Sequence, residues 1–404
     1  MSKHVPAGWQ VKPLEKIAST RTGKMNPLVD DKIKYIGLEH IDNGAITING
    51  YMWSDATASL NSLFKKDDIL FGKLRPYLRK CIQIGFDGCC SGELLVLKAN
   101  CESTNQNYLK CVLQSDPIYT FCDELSAGTK MPRVSWGDLK EFEVVLPPLP
   151  EQRKIAAVLS SADRSIAATE KLIAKLADLK KALMQQLLTK GIGHTEFKPS
   201  PLGPIPNSWE VRKLHEIATI NDGAHQTPTY TEKGKPFLRV TDIQSQNIDF
   251  ASIKYIPENE HYELTRRCKP EKGDILLSKN GTIGIVKVVT WDWDFSIFVS
   301  LALIKIMKKD CVHLWYLSKM LESPSIRQQI KERAKQGTVT NLHLEEIREF
   351  DILIPPIEEQ LKIADILNGV DRKLAAAKVK LAKAKDLKQG LMNDLLTGKV
   401  RVSA

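Results

Sequence analysis

The chain has 404 residues, 43% hydrophobic and 26% charged, a globular composition too long for one compact core. No apolar run approaches the roughly 18 residues of a membrane span, and the opening MSKHVPAGW lacks the apolar stretch of a secretory signal, so residence in the cytoplasm is expected. The net charge of +10 excludes little but favours polyanionic partners, DNA foremost.

The first block, 1–148, reads as strand-rich, with short apolar runs at Lys34–Leu38, Asp68–Phe71, Leu94–Lys98 and Glu143–Leu146 and a helical stretch near Asn107–Tyr119. Six of the eight cysteines fall in it without a C-x-x-C pair, so they read as reduced, mostly buried thiols rather than zinc ligands.

A helical segment, 149–190, follows Pro147-Pro148. Proline suits a helix start because its missing N–H would be unpaired there anyway, and Glu151 then lies near the positive end of the helix dipole. Apolar residues recur at steps of four and three, with Ile155, Leu159, Ile166, Ile173, Leu176, Leu183 and Leu187 forming a seam. A period of 3.5 is the mark of helices that pair along their length. From Ile155 to Leu187 the helix would run roughly 48 Å.

The connector 191–208 is rich in Pro and Gly and reads as an extended linker. The layout then repeats. Pro6, Trp9, Val11, Leu14, Ile17 and Ala18 recur as Pro206, Trp209, Val211, Leu214, Ile217 and Ala218. Block 209–356 carries apolar runs at Pro236–Val240, Asp274–Leu277, Ile283–Val289, Ser300–Met307 and Asp351–Ile354, with a helical stretch at His313–Arg333. Pro355-Pro356 opens the second helical segment, 357–398, whose seam is Ile363, Leu367, Val370, Leu374, Leu381, Leu391 and Leu395; a tail, 399–404, remains. Lys180 and Lys388 interrupt the two seams at the same place. The stretches from Glu151 to Lys190 and from Glu358 to Ala404 supply most of the excess positive charge, so net charge does not locate a nucleic-acid face.

The fold class is therefore α+β. Two similar globular domains are separated by two long antiparallel coiled-coil helices in a pseudo-twofold, cyclic arrangement. If the fold is cyclic, the chain ends are expected to meet where copy one's connector lies. The alternative is that each helix packs on its own globular block.

Catalytic motifs are missing. The sequence has no G-x-x-x-x-G-K-[ST], no methyltransferase Asn/Asp-Pro-Pro-aromatic motif, no H-E-x-x-H and no G-x-S-x-G. Glu93 and Lys98 have the wrong spacing for a nuclease pair. The chain reads as a binder with no catalytic, cofactor-binding or metal-binding residue. DNA readout needs donors and acceptors on loops or helix starts. Two paired loops offer them. Lys73, Arg75 and Arg79 follow the first block's Asp-Ile-Leu, and Lys279, Asn280 and Thr282 follow the second's. Lys130 and Arg133, after Gly128-Thr129, face Thr338, Thr340 and Asn341, after Gly337, in the second copy. Arginine and lysine suit guanine, and asparagine suits adenine. The plainer reading of each basic residue is a surface charge or a phosphate contact.

The helix starts LPPLPEQRKIA (146–156) and IPPIEEQ (354–360), the exits LLTKG (187–191) and LLTG (395–398), and the connector GIGHT followed by GPIPNSW (203–209) resemble the specificity subunit of type I restriction–modification systems. The resemblance covers the whole chain. It implies two target-recognition domains, 1–148 and 209–356, each reading one half of a bipartite asymmetric DNA target. It also implies that the helices act as a ruler for the unread spacer. Partners would be double-stranded DNA, two methyltransferase subunits docked on the helices and two motor-nuclease subunits. S-adenosylmethionine, ATP and Mg would sit on those partners and none on this chain. A stand-alone pseudo-dimeric DNA-binding regulator and a coiled-coil protein scaffold remain alternatives.

Overall fold

The computed structural model describes residues 5–125, 130–245, 248–333 and 341–402. Two units divide the chain, Met1–Ile173 with Ala377–Ala404, and Ala174–Ala376. The division cuts through both long helices, because each helix start packs on the sheets that precede it and is joined there by the end of the other helix.

In the first unit Gln10–Pro13 pairs antiparallel with Glu143–Leu146, which brings the start and end of the block together and hands the chain to the helix. Beside it lies a four-stranded sheet in the order Ala18–Thr20, Leu94–Ala99, Ile69–Gly72, Cys81–Gln83, all antiparallel. A five-stranded sheet follows, with one parallel pair between Lys34–Ile36 and Gly88–Cys90. The run Ile69-Leu70-Phe71 is continuously apolar because its strand is buried on both faces. Ile69 and Phe71 join the core under the helices, while Leu70 joins the core between the sheets. The second unit repeats this with Ile275 and Leu277 on one face and Leu276 on the other. Its four-stranded sheet has the matching order Ala218–Asp222, Leu301–Ile306, Ile275–Ser278, Val286–Val288.

The single helical stretch expected near Asn107–Tyr119 is two helices, Gln106–Leu113 and Asp116–Leu125. Its counterpart is Leu314–Leu321 and Pro324–Arg333. The break falls at Ser115, whose Oγ donates to the Val112 carbonyl at 2.7 Å, with a proline just beyond it at the next helix start. The connector is not wholly extended, since Phe197–Lys198 pairs with Ile205–Pro206 and Ile205 is buried.

The long helices are Leu149–Leu187 and Ile357–Leu396. Their first turns are locked by the Glu-Gln that follows the prolines. Trp9 Nε1 donates to Glu151 Oε2 at 3.0 Å, and Trp209 Nε1 to Glu359 Oε2 at 2.9 Å. Gln152 donates to the Pro147 and Ser103 carbonyls and accepts from Asn105 N–H. Gln360 does the same with Pro355, Cys311 and His313.

Within each unit the helices run antiparallel. In the first, Asp163 meets Lys388 and Glu170 meets Lys385, so numbering rises on one helix as it falls on the other. In the second, Lys180 meets Asp371 at 2.7 Å. The seam lysines thus complete charged triads, Lys110–Asp163–Lys388 and Lys319–Asp371–Lys180. Burial pushes the Asp163 carboxyl up, but the Lys388 and Lys110 ammoniums outweigh it and hold the group below its ordinary range. Asp371 is likewise held down, with Lys180 and Lys319 opposing burial.

The seam residues divide into two sets. Ile155, Leu159 and Leu395, and likewise Leu187, Ile363 and Leu367, belong to the cores under the sheets. Leu183 and Leu391 pack at the edges of those cores. Ile166 and Val370 are buried beyond them, and Ile173, Leu176, Leu374 and Leu381 are half-buried. The two ideas about the helices therefore hold together, because each start packs on its own block and pairs with the other helix.

The C-terminal segment packs on the N-terminal one. Arg401 Nε donates to Glu151 Oε1 at 2.7 Å and its Nη1 donates to the Ala7 carbonyl at 3.0 Å. Arg401 and the Trp9 indole hold the Glu151 carboxyl low against burial. In the second unit the connector does the equivalent, with Ile192 N–H and His194 Nε2 on Glu359. Gly191 and Gly398 both turn with positive φ, +67° and +72°. A Cβ on Gly398 would lie 2.3 Å from Pro6 Cγ.

Candidate nucleic-acid interface

The two loops nominated in each copy are joined by main-chain hydrogen bonds. In the first unit Lys73 leaves its strand with its N–H on the Glu93 carbonyl at 2.9 Å. Val134 N–H then donates to the Lys73 carbonyl at 3.0 Å, and Arg75 N–H to the Pro132 carbonyl at 2.8 Å, making a bridge of Leu74 with Arg133. The second unit builds the same frame. Lys279 N–H donates to the Ser300 carbonyl, Leu342 N–H donates to the Lys279 carbonyl, and Asn280 bridges Asn341. Both follow from the shared Asp-Ile-Leu. Asp68 and Asp274 cap the turns before their strands by accepting from Lys65 N–H and Glu271 N–H, both at 2.7 Å.

The side chains on this frame differ. In the first unit Arg75 and Lys130 are exposed and Lys73 is half-buried. Arg133 is exposed and its Nη2 grips the Glu93 carboxylate at 2.8 Å. Arg79 is placed elsewhere. It pairs with Asp116 and lies over the Tyr119 ring, and Asp116 also accepts from Gln389 of the second long helix, so Arg79 ties the loop to the helices. Arg75 and Arg79 both take the left-handed conformation, with φ of 51° and 54° around the turn Pro76–Leu78.

In the second unit Asn280 and Asn341 are half-buried, and the Oδ1 atom of each has no hydrogen-bond partner among the described residues. Ser300, whose carbonyl accepts from Lys279 N–H, likewise has no partner for its Oγ among the described residues. Unpaired buried acceptors cost of order 1–3 kcal/mol each, so a group donating to them would be favoured here. Thr282 is exposed at the loop tip. Lys279 is not on the surface; it is 5% exposed, with its ammonium 3.5 Å from the buried Asp222 carboxylate. Thr338 and Thr340, with Ala127, Gly128 and Thr129 of the other copy, lie outside the described residues.

Three residues absent from the sequence reading join this site. Asp222 accepts from Arg267 Nη2 at 2.6 Å and lies 3.2 Å from His225 Nε2. Arg267 and Asp222 stand 45 positions apart, and no local pattern links them. The one available signal was the acid in copy two at the position of Thr22 in copy one. Among the described residues no group of His, Cys, Asp and Glu could hold a metal, and no helix is long and apolar enough to cross a membrane.

Residues 6–178 and 206–385 match the model of the type I restriction modification DNA specificity domain. The chain belongs to the type I restriction–modification DNA specificity family. It is 28% identical over 333 residues, 80% of this chain and 76% of the relative, to the type I restriction enzyme MjaVIII specificity subunit of Methanocaldococcus jannaschii. It is 28% identical to the putative MjaX specificity subunit of the same organism, over 98% of this chain and 95% of the relative. Its fold is similar to the type I restriction–modification S subunit of M. genitalium, with a TM-score of 0.63 at 16% identity over 98% of this chain and 97% of that one. A chain from a type I R-M system solved to explain complex assembly and conformational transition gives a TM-score of 0.57 at 23% identity, covering 98% and 100%. The chain is thus a type I DNA specificity subunit, of a family that is itself non-catalytic, and neither the regulator nor the scaffold reading is needed.

Proposed function

We propose that this specificity subunit reads a bipartite, asymmetric DNA target, one loop pair per half. The observation that carries this is the repeated main-chain bridge. Leu74 and Arg133 stand on it in one unit, and Asn280 and Asn341 in the other. One frame presenting unlike donors and acceptors is what reading two different half-sites requires. The unpartnered Asn280 and Asn341 oxygens suit the amino edge of adenine. The long helices would dock two methyltransferase subunits and their length would set the unread spacer. Two motor-nuclease subunits would complete the restriction complex. S-adenosylmethionine, ATP and Mg would be bound by those partners, in the cytoplasm, and this chain would contribute recognition only.

The test is Asn280→Ala with Asn341→Ala, in the full chain assembled with its methyltransferase subunits, read by mapping methylated adenines on host DNA. The expected result is relaxed or altered preference in one half-site with the other half unchanged. Equal loss in both halves, or no change in either, would refute the assignment.

A further inference from the structure

Asp222, Gly223 and Ala224 are held tightly against the strand Ser296–Ile297. Ala224 N–H donates to the Ile297 carbonyl, and Val299 N–H donates to the Ala224 carbonyl, both at 2.9 Å. A Cβ on Gly223 would fall 1.9 Å from the Ile297 carbonyl oxygen, so only glycine allows this approach. The loop therefore fixes the Asp222 carboxylate beside Lys279 and one residue from the bridging Asn280.

Asp222 is 6% exposed and faces three basic groups, Lys279, His225 and Arg267. Lys279 is buried and supplies the counter-charge. Arg267, at the last turn of the helix Glu258–Arg267, has a side chain 60% exposed. Its Nη2 is committed inward to Asp222 Oδ1 at 2.6 Å, the Asp222 carbonyl at 3.2 Å and the Gly223 carbonyl at 3.1 Å. Nε and Nη1 have no partner among the described residues.

Guanidinium chemistry decides what such an arginine can bind. Bidentate reading of guanine needs two parallel N–H groups on one edge. Both such edges include Nη2, one with Nη1 and one with Nε. With Nη2 consumed, neither fork is left. The outward donors can still approach single oxygens of a diffuse anion.

We propose that Arg267 is a DNA phosphate contact of the second recognition unit and that Asp222 is its positioning residue. This rests on the proposal that the loop junction faces DNA. It assigns Arg267 to register and affinity, and leaves base choice to the neighbouring asparagines. The cation nominated from sequence, Lys279, becomes part of the support.

The experiment uses the full chain assembled with its methyltransferase subunits. The probes are a duplex carrying the mapped target and one with the second half-site scrambled. Arg267→Ala should weaken both by the same factor, and the slope of log affinity against log salt should become shallower by about 0.9. Arg267→Lys, which keeps the charge, should retain the original slope. The methylated sequence should not change. Unchanged affinity, loss confined to the matched duplex, or loss with the salt slope intact in both variants would overturn the proposal. If the asparagine variant shifts one half-site while Arg267→Ala does nothing, only this inference fails. If the asparagines prove silent while Arg267→Ala behaves as described, the base-reading assignment fails instead.

Discussion

The triad Lys110–Asp163–Lys388 offers a quantitative test of how the helices are held. The three side chains are 13%, 12% and 14% exposed, and the acid lies 2.7 Å from each ammonium. Asp163→Ala leaves two poorly solvated positive charges facing each other. Breaking a buried pair in this way costs about 3–5 kcal/mol. In the second triad Lys180 and Asp371 are 25% and 28% exposed, so water screens more of the charge and Asp371→Ala should cost about 1–3 kcal/mol. Two units in one chain need not unfold together, so a single melting curve is the wrong assay. Hydrogen exchange resolved by segment reads the opening free energy of each unit separately. Asp163→Ala should lower protection in 149–173 and 377–396 far more than in the second unit. Replacing the whole triad by apolar residues of similar size, Lys110→Met, Asp163→Leu and Lys388→Met, should recover most of the loss, because the desolvation penalty vanishes with the charges. An effect of Asp163→Ala below about 0.5 kcal/mol, the range of ordinary surface substitutions, would refute the reasoning. So would equal losses in both units.

The pH dependence follows from the same acids. Asp163 and Asp371 have folded pKa values depressed by their lysines, so their contribution is fully present above the ordinary aspartate range and disappears as pH falls through the lower folded values. Thermal melts between pH 7 and pH 3 should show a late acid loss of stability that is reduced in the all-apolar triad variant; an identical acid limb would count against the assignment. Gln152 is fully buried and makes three main-chain hydrogen bonds, so Gln152→Ala should cost about 2–4 kcal/mol by denaturant titration, and Gln360→Ala a similar amount. A cost under 1 kcal/mol would mean that water replaces those bonds.

Periodicity exposed the helices because seam spacing is a local property of the chain, and Lys180 and Lys388 stood out as breaks in it. What they meet was hidden. Lys110 and Lys319 come from short helices some 50 positions before their aspartates. The Glu-Gln after each proline pair was visible as a repeated motif, but its bonds to a distant tryptophan and to cap carbonyls exist only once the sheets form. The short strands were the least legible. Gly88–Cys90 is three residues long, shows no alternation, and owes its place to pairing with Asn61–Phe64 and Lys34–Ile36. At the paired loops, aligning Lys73 with Lys279 matched their places on the backbone and missed their environments. Asp222 turns Lys279 inward, whereas Thr22 at the matching position offers Lys73 no charge.

On the proposed reading, that contrast explains how two copies of one domain could diverge in what they read without losing the fold. The bonds that join the loops are made by the backbone groups of Lys73, Arg75 and Val134 in one unit and of Lys279 and Leu342 in the other. Main-chain bonds are indifferent to side-chain identity, so the frame survives substitution at Leu74 and Arg133, or at Asn280 and Asn341. The aliphatic residues beneath the frame are held on both faces of a strand and are not free to change in the same way, since Leu70 and Leu276 are each fully buried between sheets. If the frame reads DNA as proposed, stability and recognition fall on different atoms of nearby residues. On that reading the side chain at Leu74 or Asn280 can be replaced at the cost of its own contacts alone, while the buried leucine four positions earlier, Leu70 or Leu276, cannot.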